Sequence, residues 1–166
     1  IDGNSESFIS KTRLGFITTN DPKINEINEN GLSSISEYIV KKTAANLGSP
    51  HPINLLNDEL FYFPVIYWTI TENTKSLSRK IVQKINNYTE NGGMLLVDCK
   101  SDFDNLVVEN CIERLSLILP LNYFSKFSLV DNNHSISKSF YLLKDFPGTK
   151  NNKIFYSLFK NQINNE

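Results

Sequence analysis

Short apolar runs alternate along this chain with longer stretches in which apolar residues recur every three or four positions. RLGFITT (13–19) is β-branched and aromatic and closes on Asn-Asp-Pro, as a strand entering a turn does. In GLSSISEYIVKKTAANLG (31–48), Leu32, Ile35, Ile39 and Leu47 sit near helical spacing. Ser34 with Glu37 fits a capping box there, and Gly48 supplies a stop. INLL (53–56) predicts a short strand, FPVIYWTI (63–70) a stronger one, and the SPHPI segment makes His51 a turn residue. A second helix is predicted in SLSRKIVQKINNYTENGG (76–93). Leu77, Ile81, Ile85 and Tyr88 share one face, Ser76 stands as cap and Gly92 as C-terminal stop.

MLLVDC (94–99) is a continuous apolar run of the kind expected of a strand buried on both faces. DNLVVENCIERLSLIL (104–119) predicts a third helix, capped by Asp104 and ended by Pro120. FSLV, the mixed segment HSISKSFYLLKDFPG and the strand candidate IFYSLF follow. Alternating strands and helices with apolar strands predict an α/β domain, a flavodoxin-like three-layer sandwich with a mostly parallel sheet. The polar residues 1–12 are expected to be a flexible N-terminal segment, and 13–166 a single domain.

Composition narrows the function classes. At 40% hydrophobic and 21% charged residues, the chain has the make-up of a globular domain able to bury a core. Its net charge of −1 is spread along the sequence, so no basic stripe exists to neutralise a phosphate backbone, and nucleic acid is not an expected partner. No apolar run approaches the roughly 20 residues a membrane span needs, so direct membrane insertion of this segment is not expected either. The chain opens IDGNSES without an initiator methionine, as a mature product or a piece of something longer does. Cys99 and Cys111 form neither a metal-type spacing nor a disulfide framework and leave the compartment undetermined.

In open parallel sheets, ligands collect outside the carboxyl ends of the strands, where the strand order switches. That rule selects three loops. The first offers Thr18, Thr19 and Asp21, the second Trp68, Thr71 and Glu72, and the third Asp98, Lys100 and Asp102. No glycine-rich phosphate loop is present, and an acidic pair is missing after the first strand, so neither a nucleotide nor a phosphoacceptor chemistry is indicated. Asp98, Asp102 and Asp104 suggest oxygen ligation, but Asp104 is used as a cap and no metal or other cofactor is expected.

Cys99, at an abrupt strand end, has two readings. As a nucleophile it needs small neighbours two positions away and a base within reach. Ser101 is small, whereas Val97 crowds the turn; the available base is His134, with Asp131 before it. As a strand-end cysteine it needs nothing further.

Three stretches, RLGFITTNDP, then ELFYFPVIYWTIT followed by INNYTENGGMLLVDC, then HSISKSFYLLKDFPG, together resemble a bacterial family of domains of unknown function. The resemblance runs from Arg13 to Gly148 and is most specific in FYLLKDFPG. It implies a class I glutamine amidotransferase-like fold and places Cys99 near the amidotransferase nucleophile position. It also implies a soluble module at the C-terminus of a larger, aerotolerance-type membrane protein. It does not carry the chemistry over. The family pattern has Thr where this chain has Cys99, and His134-Ser135-Ile136 is not the late His-x-Glu pair of an amidotransferase. The expected function is therefore a non-catalytic module binding a protein or a small molecule. The alternative is a cysteine-dependent hydrolase or amidotransferase using Cys99 with His134.

Overall fold

The computed structural model of the chain describes residues 11–99, 108–119, 127–131, 133–138 and 154–157. The expectations for residues 1–10, Lys100, Asp102, Asp104 and the FYLLKDFPG segment lie outside them. Four strands, β1 (Gly15–Ile17), β2 (His51–Ile53), β3 (Val65–Ile70) and β4 (Met94–Cys99), pair in parallel in the order β2-β1-β3-β4. The helices between them are α1 (Pro22–Lys42), α2 (Arg79–Glu90) and α3 (Val108–Ile118). Beyond lie a two-stranded antiparallel ribbon of β5 (Ser128–Leu129) and β6 (Phe155–Tyr156), and a single helical turn α4 (Ser135–Lys138). The chain is thus α/β with a parallel four-stranded sheet, and its strand order is compatible with flavodoxin-like winding.

Helix α1 starts ten residues earlier than the spacing predicts. Asp21 is its N-cap, accepting from the Lys23 N–H at 2.9 Å, and Pro22 occupies the first turn, where a missing N–H costs nothing. Asn-Asp-Pro is therefore a helix start as well as a turn. The buried stripe is Ile24, Asn28, Leu32 and Ser36, so half of it is polar and the apolar period is hidden. Ser34 is not a cap: it lies in mid-helix and donates to the Asn30 carbonyl at 2.9 Å. Ile35 is half exposed, and Leu47 lies beyond the helix, bridging to Thr12.

Helix α2 begins after Ser78 rather than Ser76 and ends in a Schellman motif. The Gly93 N–H reaches the Tyr88 carbonyl at 3.0 Å and the Gly92 N–H that of Thr89 at 3.1 Å, with Gly92 at φ +91°. Gly93 is needed for a different reason: a Cβ there would collide with the Tyr88 ring. That ring is buried, and its hydroxyl donates among the carbonyls of Phe63, Met94 and Pro64 at 2.9, 3.0 and 3.2 Å. Burial pushes the Tyr88 hydroxyl up from 10.0 to about 12.

The two faces of the sheet are covered unequally. Ile66, Trp68 and Ile70 pack with Val82, Ile85 and Tyr88 of α2 and with Leu115, Ile118 and Leu119 at the end of α3, forming the main core. On the other face, Leu14 and Phe16 pack against Leu32 of α1 in a small cluster. There β4 exposes Met94, Leu96 and Asp98, so it is not buried on both faces as its unbroken apolarity suggests. His51 also departs from its turn assignment: it opens β2 and stacks on Phe63, ring centroids 5.3 Å apart.

Candidate functional site

A cleft of about 390 Å³ opens at the carboxyl ends of β1 and β3, where the strand order switches. Ile17, Ile24, Leu55, Trp68 and Leu77 supply its apolar surface. Its polar walls are two loops, Thr18–Asp21 and Thr71–Lys75. Of the nine residues singled out as ligand-binding candidates, Thr18, Thr19, Asp21, Trp68, Thr71 and Glu72 line it together. Trp68 is only 2% exposed, so it forms floor and core at once rather than a free stacking surface.

The first wall is held from within its own β1–α1 unit and its neighbouring strand. Thr18 donates through both its N–H and its hydroxyl to the Ile53 carbonyl of β2, each at 3.1 Å. Asn25, in the first turns of α1, clamps Thr19. Its Oδ1 accepts from the Thr19 N–H at 2.8 Å and lies 3.0 Å from the Thr19 hydroxyl, while its Nδ2 donates to the Thr19 carbonyl at 2.9 Å. The Thr19 Oγ1 in turn accepts from the Asp21 N–H at 3.2 Å. The apolar spacing starts its helix only at residue 31 and so leaves Asn25 unassigned; an Asn four residues after an N-cap Asp is the signal available.

The second wall is held from a distance. Thr71 and Thr74 close a turn, the Thr74 N–H reaching the Thr71 carbonyl at 3.1 Å and the Thr71 N–H reaching the Thr74 hydroxyl at 2.9 Å. The same Thr71 carbonyl accepts from Arg114 of α3, from Nε at 3.0 Å and from Nη2 at 2.6 Å. Two more hydrogen bonds join the segment to the end of α3: Leu77 N–H to the Ile118 carbonyl at 3.2 Å and Ser76 hydroxyl to the Leu117 carbonyl at 3.3 Å. Arg114 had no sequence signal, because its partner is a main-chain carbonyl 43 residues away.

Asn20, Glu72, Asn73 and Lys75 are exposed at the mouth. Asp21, Glu72 and Lys75 give the lining two carboxylates and one ammonium, a net of one negative charge. Of the remaining candidates, Lys100 and Asp102 lie outside the described residues. Asp98 is exposed outside the lining and accepts from the Tyr67 hydroxyl at 2.7 Å. Burial first, and the Asp98 carboxylate second, push Tyr67 up from 10.0 to about 12.

Cys99 ends β4 bonded to Cys111 of α3, the two Cα atoms 5.8 Å apart, within the range a native disulfide spans. The expectation that the cysteines form no framework is corrected: strand end and helix bring them together across a gap that spacing alone does not reveal. A thiolate nucleophile is not available from Cys99 in this state. His134 lies beside the ribbon, its ring 4.5 Å from that of Tyr156. The His134 main-chain N–H donates to the Asp131 carbonyl at 3.2 Å. Among the described residues no group of three or more His, Cys, Asp or Glu side chains could hold a metal ion, and no helix is long and apolar enough to cross a membrane.

No curated protein matches the chain. A family model does, over residues 13–163, and by that match the chain belongs to the family described as Domain of unknown function (DUF4159).

Proposed function

We propose that this domain is a non-catalytic binding module of the class I glutamine amidotransferase-like kind, which holds a small polar molecule in the cleft between the β1 and β3 loops. The observation that carries the reading is convergence. Five side chains drawn from two loops far apart in sequence meet at the switch point above Trp68 of β3, the position where parallel sheets collect ligands. A volume of about 390 Å³ is at the lower end of the range for small-molecule sites, which suits a compact ligand.

The chemistry of the walls selects among ligands. The threonine hydroxyls are engaged in fixing the loops, so their role is positioning rather than attack. Asn20, Asn73, Glu72 and Asp21 leave amide and carboxylate groups at the mouth to receive donors from a ligand. The acidic balance favours neutral or cationic polar molecules over phosphates and carboxylates. Cysteine chemistry with His134 is supported less well, because it first requires the Cys99–Cys111 bond to be broken.

The test is a binding screen of small neutral and cationic polar molecules against the intact protein, followed by Thr71→Trp. Filling the cleft should abolish binding, whereas Tyr67→Phe, outside the lining, should leave affinity unchanged. Hits that bind Thr71→Trp as well as wild type would contradict the assignment.

A further inference from the structure

We infer that the Cys99–Cys111 disulfide sets the rigidity of one cleft wall, so that its reduction loosens Thr71–Leu77 and weakens ligand binding while leaving Thr18–Asp21 in place; the binding consequence rests on the function proposed above.

The path is short and continuous. Cys111 and Arg114 are one helical turn apart on α3 and so lie on neighbouring positions of one face. Cys111 is fixed covalently to the end of β4, and Arg114 grips the Thr71 carbonyl through two N–H groups. The far end of α3 needs no such tie, because Leu115, Ile118 and Leu119 are buried in the main core. Reduction therefore releases the Cys111 end of the helix while its other end stays seated. Arg114 lies between the two, three positions after Cys111 and one before Leu115. The wall should loosen in a gradient, most at Thr71 and Thr74 and least at Leu77, whose N–H is bonded to Ile118. The first wall draws its hydrogen bonds from Asn25 and Ile53, and among the described residues it has none to α3.

The chemical step is thiol–disulfide exchange with a dithiol reductant. One reductant thiolate attacks a sulfur of the pair, forming a mixed disulfide and expelling the other cysteine as thiolate. The second reductant thiolate then closes its own disulfide and releases the remaining cysteine. Two electrons pass from the dithiol to the cysteine pair, and the two released thiolates take up protons according to their pKa. In a compartment where disulfides persist, the oxidised, ordered wall is the resting form.

Hydrogen exchange at single amides, on the intact protein with and without dithiothreitol, tests this without any ligand and so separates it from the binding proposal. Reduction should speed exchange at the Thr71 and Thr74 amides by about tenfold or more and at Leu77 by less, with Thr18 and Thr19 unchanged. In the oxidised protein, Arg114→Met should reproduce the acceleration at Thr71 and Thr74 with the disulfide intact. Unchanged exchange in the second wall on reduction would overturn the inference. Equal acceleration in both walls would overturn it too, since the bond would then be a general brace.

Discussion

The two walls of the cleft are built on different plans. Thr18–Asp21 is tied to Asn25 six residues from Thr19 and to the adjacent strand at Ile53. Thr71–Leu77 closes one turn of its own and otherwise depends on α3, through Arg114, Leu117 and Ile118. A wall held locally forms once its own strand and helix form, and it can be disturbed only by changes close to it. A wall held by a distant helix inherits whatever moves that helix. In this molecule that includes a covalent bond, so one side of the same cleft is open to control and the other is not.

The comparison can be broken most forcefully at the disulfide. Cys99→Ser with Cys111→Ser removes a cross-link spanning 12 positions and should lower stability by about 2–4 kcal/mol in urea denaturation. A loss below ~0.5 kcal/mol would mean that packing alone holds α3 and that the second wall owes the bond nothing.

Asn25→Ala attacks the other wall. It strands the Thr19 N–H and carbonyl and should cost about 1–2 kcal/mol. Amide exchange should quicken at Thr19 while Thr71 and Thr74 keep their wild-type rates; acceleration in both walls would erase the distinction between them.

Tyr88 lies outside both walls and calibrates the core beneath them. Its hydroxyl is held protonated up to about 12 in the folded chain against 10.0 for the free side chain. Folding thus favours the proton-bound form, and that contribution is complete below pH 10 and lost as pH rises through 12. Tyr88→Phe should cost about 1 kcal/mol at neutral pH and should make the alkaline loss shallower. Denaturation midpoints between pH 9 and pH 12 would read the difference, and an identical alkaline slope in the two proteins would refute it.

The smallest effect belongs to Tyr67→Phe. The hydrogen bond it removes, to Asp98, is exposed, and stability should change by no more than about 0.5 kcal/mol, with both walls exchanging as before. A shift in either wall would mean that Asp98 belongs to the cleft after all.

What the sequence made legible followed from strong local patterns. The apolar runs at 63–70 and 94–99 hold β3 and β4, the 76–93 stretch encloses α2, and Gly92 ends it. The switch-point rule also selected six residues that line one cleft, because that rule needs only the strand ends and the winding. Polar residues in buried roles were harder. Asn28 and Ser36 occupy the inward stripe of α1 and hid its length, and Asn28 receives a hydrogen bond from Thr69 across the α1 side of the sheet at 3.1 Å. The exposure of β4 was illegible for the opposite reason: Met94 and Leu96 on one face and Leu95 and Val97 on the other are all apolar, but α1 packs against Leu14 and Phe16 instead. The long-range ties, Cys99 to Cys111 and Arg114 to Thr71, carry no periodicity at all. They appear only when the helix is laid against the sheet.

The most direct test of the cleft is a fragment screen of neutral and cationic polar molecules on the oxidised protein, read residue by residue from amide shifts. Binding should move the signals of Thr18–Asp21 and Thr71–Leu77 together, in one saturable event for each hit. Hits that instead gather on the exposed face of β4, around Met94 and Leu96, or that move one wall without the other, would contradict a ligand site at the switch point.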